Sequence, residues 1–206
     1  MRCLKPRGER ENLRTHCWRN WKDAGMELID LCRIVARSLF AEIGPWGNRC
    51  ALIGGLIPGL LVPEPRKPLR PHVGTRDVDL AIRVAALGDD QELYRTLKQN
   101  LVKLNLEQTS DRSFEWKRKV NGVEVVVELF VPVTHSEQGG KIQKKPMEKS
   151  GSGLTALGLY GLDLIERDVV EIEDEGPLLD GRGVNVNGGG KIPKTAVEKS
   201  PRVAGA

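Results

Sequence analysis

Apolar residues recur at helical spacing between Glu27 and Ile43: Leu28, Leu31, Val35 and Leu39, widened by Ile29, Cys32, Ala36, Phe40 and Ile43. A stripe this broad predicts a helix with one face in a core, stopped by Gly44-Pro45. Cys50-Ala51-Leu52-Ile53 is a short continuous apolar run, the pattern of a buried strand, and it ends at Gly54-Gly55. Leu56 to Val62 reads as a short helix. Residues 63–75 hold Pro63, Pro65, Pro68 and Pro71 with Arg66, Lys67 and Arg70, and predict a long, stiff, basic loop. Asp77 to Arg83 alternates acidic and apolar positions, as a strand with one wet face does. Asp89-Asp90 can cap a helix running to about Leu104, with Leu93, Leu97 and Leu101 on one face. Two strand-like runs, Phe114 to Val120 and Val123 to Val131, flank Asn121-Gly122, the strongest short-range hairpin signal.

The pattern weakens at both ends. Before Met26 the chain has basic residues (Arg2, Lys5, Arg7, Arg10, Arg14, Arg19, Lys22) and few apolar ones apart from Trp18 and Trp21. Residues 1–25 therefore read as a disordered leader whose removal leaves the fold intact. The favoured explanation is that translation begins at Met26, and the alternative is a basic arm that touches nucleic acid. Beyond Pro132, thirteen of the 23 glycines fall between Gly139 and Gly205, which predicts irregular structure. Leu154 to Asp163 is ambiguous, and residues 169–173 can form a strand. The reading divides the chain into a leader (1–25), a domain (26–175) and a Gly-rich irregular tail (176–206). Gly139-Gly140-Lys141-Ile142 with Glu148-Lys149-Ser150 recurs as Gly189-Gly190-Lys191-Ile192 with Glu198-Lys199-Ser200, two copies and so no solenoid.

Composition narrows the class. With 206 residues, 39% hydrophobic but only 4% aromatic, the chain can bury one core. A net charge of +4 permits a nucleotide or nucleic-acid partner without demanding one. No apolar run reaches membrane-spanning length and no secretory signal opens the chain, so a cytoplasmic protein without a membrane partner is expected. Cys3, Cys17, Cys32 and Cys50 all lie in the first quarter with no C-x-x-C pair, which reads as free thiols in a reducing compartment.

Three features carry candidate chemistry. Gly54-Gly55 follows a strand and precedes a short helix, where glycines let backbone approach a phosphate, although most such pairs are simple turns. Asp77 and Asp79 are two apart on a strand, so both carboxylates point to one face. They can hold Mg²⁺, or they can mark a solvated strand edge. Glu124 and Glu128 share a face of the last apolar run. Glu124 follows the turn and reads as exposed. Glu128 sits between Val126-Val127 and Leu129-Phe130-Val131, where a carboxylate is costly to bury unless paired or bound to metal.

Together these residues resemble the polymerase-β-like nucleotidyltransferases: Gly-Gly at a strand–helix junction, Asp-x-Asp on the next strand, a third carboxylate on a later strand. Within that superfamily the chain is most similar to the AbiEii toxin family, through Ala51-Leu52-Ile53-Gly54-Gly55, Gly74-Thr75-Arg76-Asp77-Val78-Asp79-Leu80 and residues 122–132. The resemblance implies an α/β (α+β) nucleotidyltransferase-like core, a small mixed sheet with packed helices. It implies an enzyme that moves a nucleoside monophosphate from an NTP to an acceptor hydroxyl, with RNA, such as a tRNA 3′ end, as acceptor and a cognate antitoxin as partner. Asp77, Asp79 and Glu128 would be the catalytic, Mg²⁺- or Mn²⁺-binding carboxylates. Gly54, Gly55, Thr75 and Arg76 would contact nucleotide. The chain departs from the family in three ways: Glu128 stands where Asp is usual, Leu56 stands where Ser or Thr usually follows the glycines, and Ala206 falls about where a helical domain should begin. A truncated, inactive remnant that binds nucleotide, RNA or a protein partner is the competing expectation.

Overall fold

The computed structural model describes residues 28–43, 47, 49–61, 75–83, 91–144, 151–166, 169–170, 172, 174–179, 184–191 and 197–198. The expected leader, the Gly44-Pro45 stop, most of the proline-rich loop, the Asp89-Asp90 cap, Cys3 and Cys17 lie outside these residues.

The described elements form a mixed α/β fold. Helix α1 spans Leu28–Ile43. Strand β1, Cys50–Ile53, passes through a 3-10 turn at Gly54–Leu56 into a five-residue helix α2, Ile57–Leu61. Strand β2 is Asp77–Ile82 and helix α3 is Gln91–Lys103. Strands β3 (Glu107–Gln108), β4 (Glu115–Val120) and β5 (Val123–Val133) follow. The β4–β5 hairpin turns on Asn121 and Gly122 with φ of 51° and 82°. Both central residues are left-handed, as a type I′ turn requires, and Asn and Gly tolerate that conformation best.

These strands order β1-β2-β5-β4-β3. β5 is central and eleven residues long. It runs parallel to β2 and antiparallel to β4. Its second half pairs in parallel with β7, Ala156–Tyr160, which also pairs with the short β6, Ile142–Gln143. The ambiguous stretch around residue 154 thus resolves into a strand followed by a 3-10 helical turn, Leu162–Glu166.

Alternation along β5 decides what the sheet does. Val125, Val127, Leu129 and Val131 are buried against α1 and α3, with Leu52, Val78, Leu80, Ile82 and Trp116 in the same core. The opposite face carries a smaller apolar cluster at one end, Ala51, Ala81 and Phe130 beneath Leu162. A one-residue slip of β5 would turn Glu128 into the helix-covered core and its valines out. Each buried, unpaired carboxylate costs several kcal/mol, roughly, so the register is fixed strongly.

Structure continues past residue 175, where an irregular tail was expected. β9 (Glu175–Leu179) pairs with β10 (Val184–Lys191), and β8 (Val169–Val170) pairs with β11 (Val197–Glu198). β9 lies against α1, and Leu179 joins the main core. Helix α1 is thereby covered on two sides, which explains why Arg37 and Ser38 are as buried as Leu31 and Leu39. The Arg37 guanidinium donates to the Pro177 carbonyl at 2.8 Å and to Asp174 at 2.7 Å, and the Leu179 amide donates to the Ser38 hydroxyl at 2.6 Å. The strands form despite the glycine-rich composition, because backbone pairing, the polar anchors on α1 and Leu179 in the core hold the segment.

Candidate metal centre

Neighbouring strands place one residue each in a row across the exposed part of the sheet. Ile53 of β1 is opposite Asp79 of β2, Asp79 is opposite Glu128 of β5, and Glu128 is opposite Glu115 of β4. Asp77, two residues before Asp79, shares its face. One carboxylate oxygen from each of Asp77, Asp79 and Glu128 lies within 4.8 Å of the others. The three acids inferred from separate motifs therefore converge on one point, each half-buried.

The glycines make room for the aspartates as well as turning the chain. Gly54 has φ of +77°, and a Cβ built on it would stand 1.8 Å from Asp79 Oδ2. Its missing side chain makes room for the carboxylate. The Gly55 amide donates to Asp79, so this turn seats the acid directly. A Cβ on Gly55 would lie 2.9 Å from Thr75 Cβ, and the Thr75 hydroxyl in turn donates to Asp77. Gly54, Gly55 and Thr75 thus form the floor that orients both aspartates. Arg76 is exposed at the entrance to β2.

The electrostatics are those of unneutralised acids. Burial first, then the charges of Asp77 and Glu128, pushes the Asp79 carboxyl up to about 7, and the Gly55 amide only partly opposes this. Glu128 is likewise raised by burial, then by Asp77 and Glu115, with Arg112 pulling the other way. Beneath the site, the Cys32 thiol approaches the Thr75 carbonyl at 3.9 Å and is pushed up to about 12 by burial and by Asp77 and Asp79. Cys32 and Cys50 are both buried free thiols, as the sequence predicts for those two positions.

This donor set fits a hard divalent cation. Three carboxylate oxygens at mutual reach suit Mg²⁺ or Mn²⁺, which take oxygen ligands and leave the remaining positions to water and substrate. Burial, then Asp77 and Glu128, raise the proton affinity of Asp79, and a bound cation would lower it.

Glu115 and Arg112 also border the site, and no motif along the chain marks them. Glu115 is buried at 6% exposure, and Arg112 donates to it at 2.7 Å. The legible signal was an acidic residue at the start of a strand, Glu115 before Trp116, but only the β4–β5 register puts it beside Glu128. Glu124 is exposed and pairs with Lys117 at 3.5 Å, away from the cluster, as its position after the turn predicts.

Fold and site together define an α/β protein with a three-carboxylate centre on the open face of a mixed sheet. No protein-family model matches the chain, and no curated protein or solved structure is detectably similar to it. Among the described residues, no helix is long and apolar enough to cross a membrane.

Proposed function

We propose that this chain is a divalent-metal-dependent nucleotidyltransferase that moves a nucleoside monophosphate from an NTP to an acceptor hydroxyl. The observation that carries the reading is the convergence of Asp77, Asp79 and Glu128 within 4.8 Å beside the Gly54-Gly55 turn. Two cations sharing a phosphate sit roughly 3.5–4 Å apart, and carboxylates this close can serve such a pair. The likeness to AbiEii toxins supports RNA, a tRNA 3′ end first, as acceptor and a cognate antitoxin as partner.

Mg²⁺ or Mn²⁺, when bound, supplies neutralisation of the triphosphate and a Lewis-acid centre near the reacting phosphorus. Asp77 and Asp79 would hold it, the first accepting from the Thr75 hydroxyl and the second from the Gly55 amide. In the transfer, the acceptor oxygen bonds to the α-phosphorus. The bond from that phosphorus to the bridging oxygen of the β-phosphate breaks and pyrophosphate leaves. Glu128, beside the two aspartates, would help lower the pKa of the acceptor hydroxyl or take its proton. Arg76, exposed and one residue before Asp77, is placed to meet a phosphate.

The test is incubation with labelled NTPs, Mg²⁺ or Mn²⁺ and total tRNA. Asp79→Asn keeps the shape and removes the charge, so activity should fall by several orders of magnitude, roughly as loss of the phosphate-organising ions requires. Glu128→Asp should be tolerated or improve the rate, and Glu128→Gln should be nearly dead. Wild-type activity in Asp79→Asn rules out the metal assignment. An inert wild type that still binds nucleotide makes the chain a binding module.

A further inference from the structure

We infer that Glu115, held by Arg112, is a positioning residue that fixes the Glu128 carboxylate in the metal centre. The inference rests on the metal-binding reading above and extends the site to a third strand.

Glu115 and Glu128 are direct partners in the antiparallel β4–β5 pair, so their side chains stand side by side on one face of the sheet. Partners in such a pair hold their Cβ atoms roughly 4.5–5.5 Å apart on one face of the sheet. Glu115 is the more buried, at 6% exposure, so its carboxylate has little freedom to turn away. With Glu115 filling that side, Glu128 has room toward Asp77 and Asp79, where one of its carboxylate oxygens lies within 4.8 Å of one of each of theirs.

Two facing carboxyls repel unless a proton or a cation accompanies them. Arg112 is that cation, with its Nη1 2.7 Å from Glu115 Oε1. Its backbone is pinned where this contact requires it. The Glu115 amide donates to the Arg112 carbonyl at 2.8 Å, and the Thr109 hydroxyl donates to the same carbonyl at 2.5 Å. The Gln108 side-chain amide donates to the Ser113 carbonyl beside it. The guanidinium itself is 64% exposed, so it can be removed without opening the core. Partners that orient metal-ligating side chains are commonly worth 10–100-fold in metal affinity, roughly.

A bystander arginine makes the opposite prediction. If Arg112 acted only through its charge, its removal would make the site more negative and tighten cation binding. If it positions Glu128 through Glu115, its removal loosens the ligand and weakens binding. The experiment is a Mn²⁺ titration of the full chain, with free Mn²⁺ read by electron paramagnetic resonance and folding checked by circular dichroism. Arg112→Ala and Glu115→Asp should each weaken Mn²⁺ binding by roughly 10–100-fold, with Arg112→Lys in between. Equal or tighter binding by folded Arg112→Ala, alongside lost binding in Glu128→Gln, overturns the positioning role and leaves the metal reading standing. Absence of Mn²⁺ binding by the wild type overturns both.

Discussion

At position 54 a hydrogen atom in place of a side chain decides whether Asp79 can occupy its place. An added Cβ would overlap Asp79 Oδ2 at 1.8 Å, and the φ of +77° is itself unfavourable for any L side chain. Gly54→Ala should therefore cost about 1–2 kcal/mol of stability from the backbone conformation alone. It should also displace Asp79, so Mn²⁺ affinity should fall further than stability does. Parallel urea unfolding and Mn²⁺ titration read the two effects separately, and unchanged metal affinity would show that Asp79 does not need this space. Gly122 differs: its φ is +82° but nothing lies within 4 Å of an added Cβ. Gly122→Ala should show only the conformational cost, about 1–2 kcal/mol, with Mn²⁺ binding intact.

Helix α1 shows how an element acquires polar residues in its core. Arg37 is 2% exposed and paired with Asp174, which is 22% exposed. Removing one partner of a buried pair leaves a charge uncompensated and typically costs about 3–5 kcal/mol, whereas exposed pairs are worth roughly 0–1 kcal/mol. Asp174→Ala should fall near the lower end of the first range, since its carboxylate is partly wet. Replacing Lys103 or Glu42, an exposed pair between α3 and α1, should change stability hardly at all. Arg37→Met combined with Asp174→Ala should recover much of the loss, because no charge is then stranded. Urea denaturation of the three variants tests this, and a double variant weaker than Asp174→Ala would show that the Arg37 bond to the Pro177 carbonyl matters more than the charge.

For the whole molecule, the acidic centre couples stability to pH and, under the proposed metal binding, to cations. Asp79 has a folded pKa of about 7 against an ordinary value of 3.8, so the folded state holds this proton more tightly than the unfolded state does. Its contribution is full below about pH 4 and is lost as pH rises toward about 7. Metal-free protein should therefore melt at a lower temperature near pH 8 than near pH 5.5 through this group. Asp79→Asn should flatten that dependence. Added Mg²⁺ or Mn²⁺ should raise the melting temperature most at the higher pH, since a ligand of the ionised site stabilises the folded state by mass action. Equal cation-induced shifts in wild type and Asp79→Asn would place the cation elsewhere.

Much of this was legible along the chain, because local pattern and local chemistry coincide there. Apolar spacing located α1, α3, β1 and β2. Asn121-Gly122 located the hairpin, since few residue pairs adopt two successive positive φ values without strain. Asp77 and Asp79 share a face by the period of a strand alone. The sequence could not say which strands are neighbours. Parallel pairing of β2 with β5 brings Asp79 to Glu128 across 48 intervening residues, and antiparallel pairing adds Glu115. Nor could it say that Gly54 is small for the sake of Asp79, because that contact joins two strands. The repeated Gly-Gly-Lys segment shows the limit most plainly: Gly139-Gly140 makes a turn before β6, while Gly189-Gly190-Lys191 lies within β10. Local sequence determined the periodicities, the hairpin turn and the shared face of Asp77 and Asp79. Tertiary structure alone decided which carboxylates meet and which glycines form strand, because backbone pairing and close approach depend on partners that are distant in the chain.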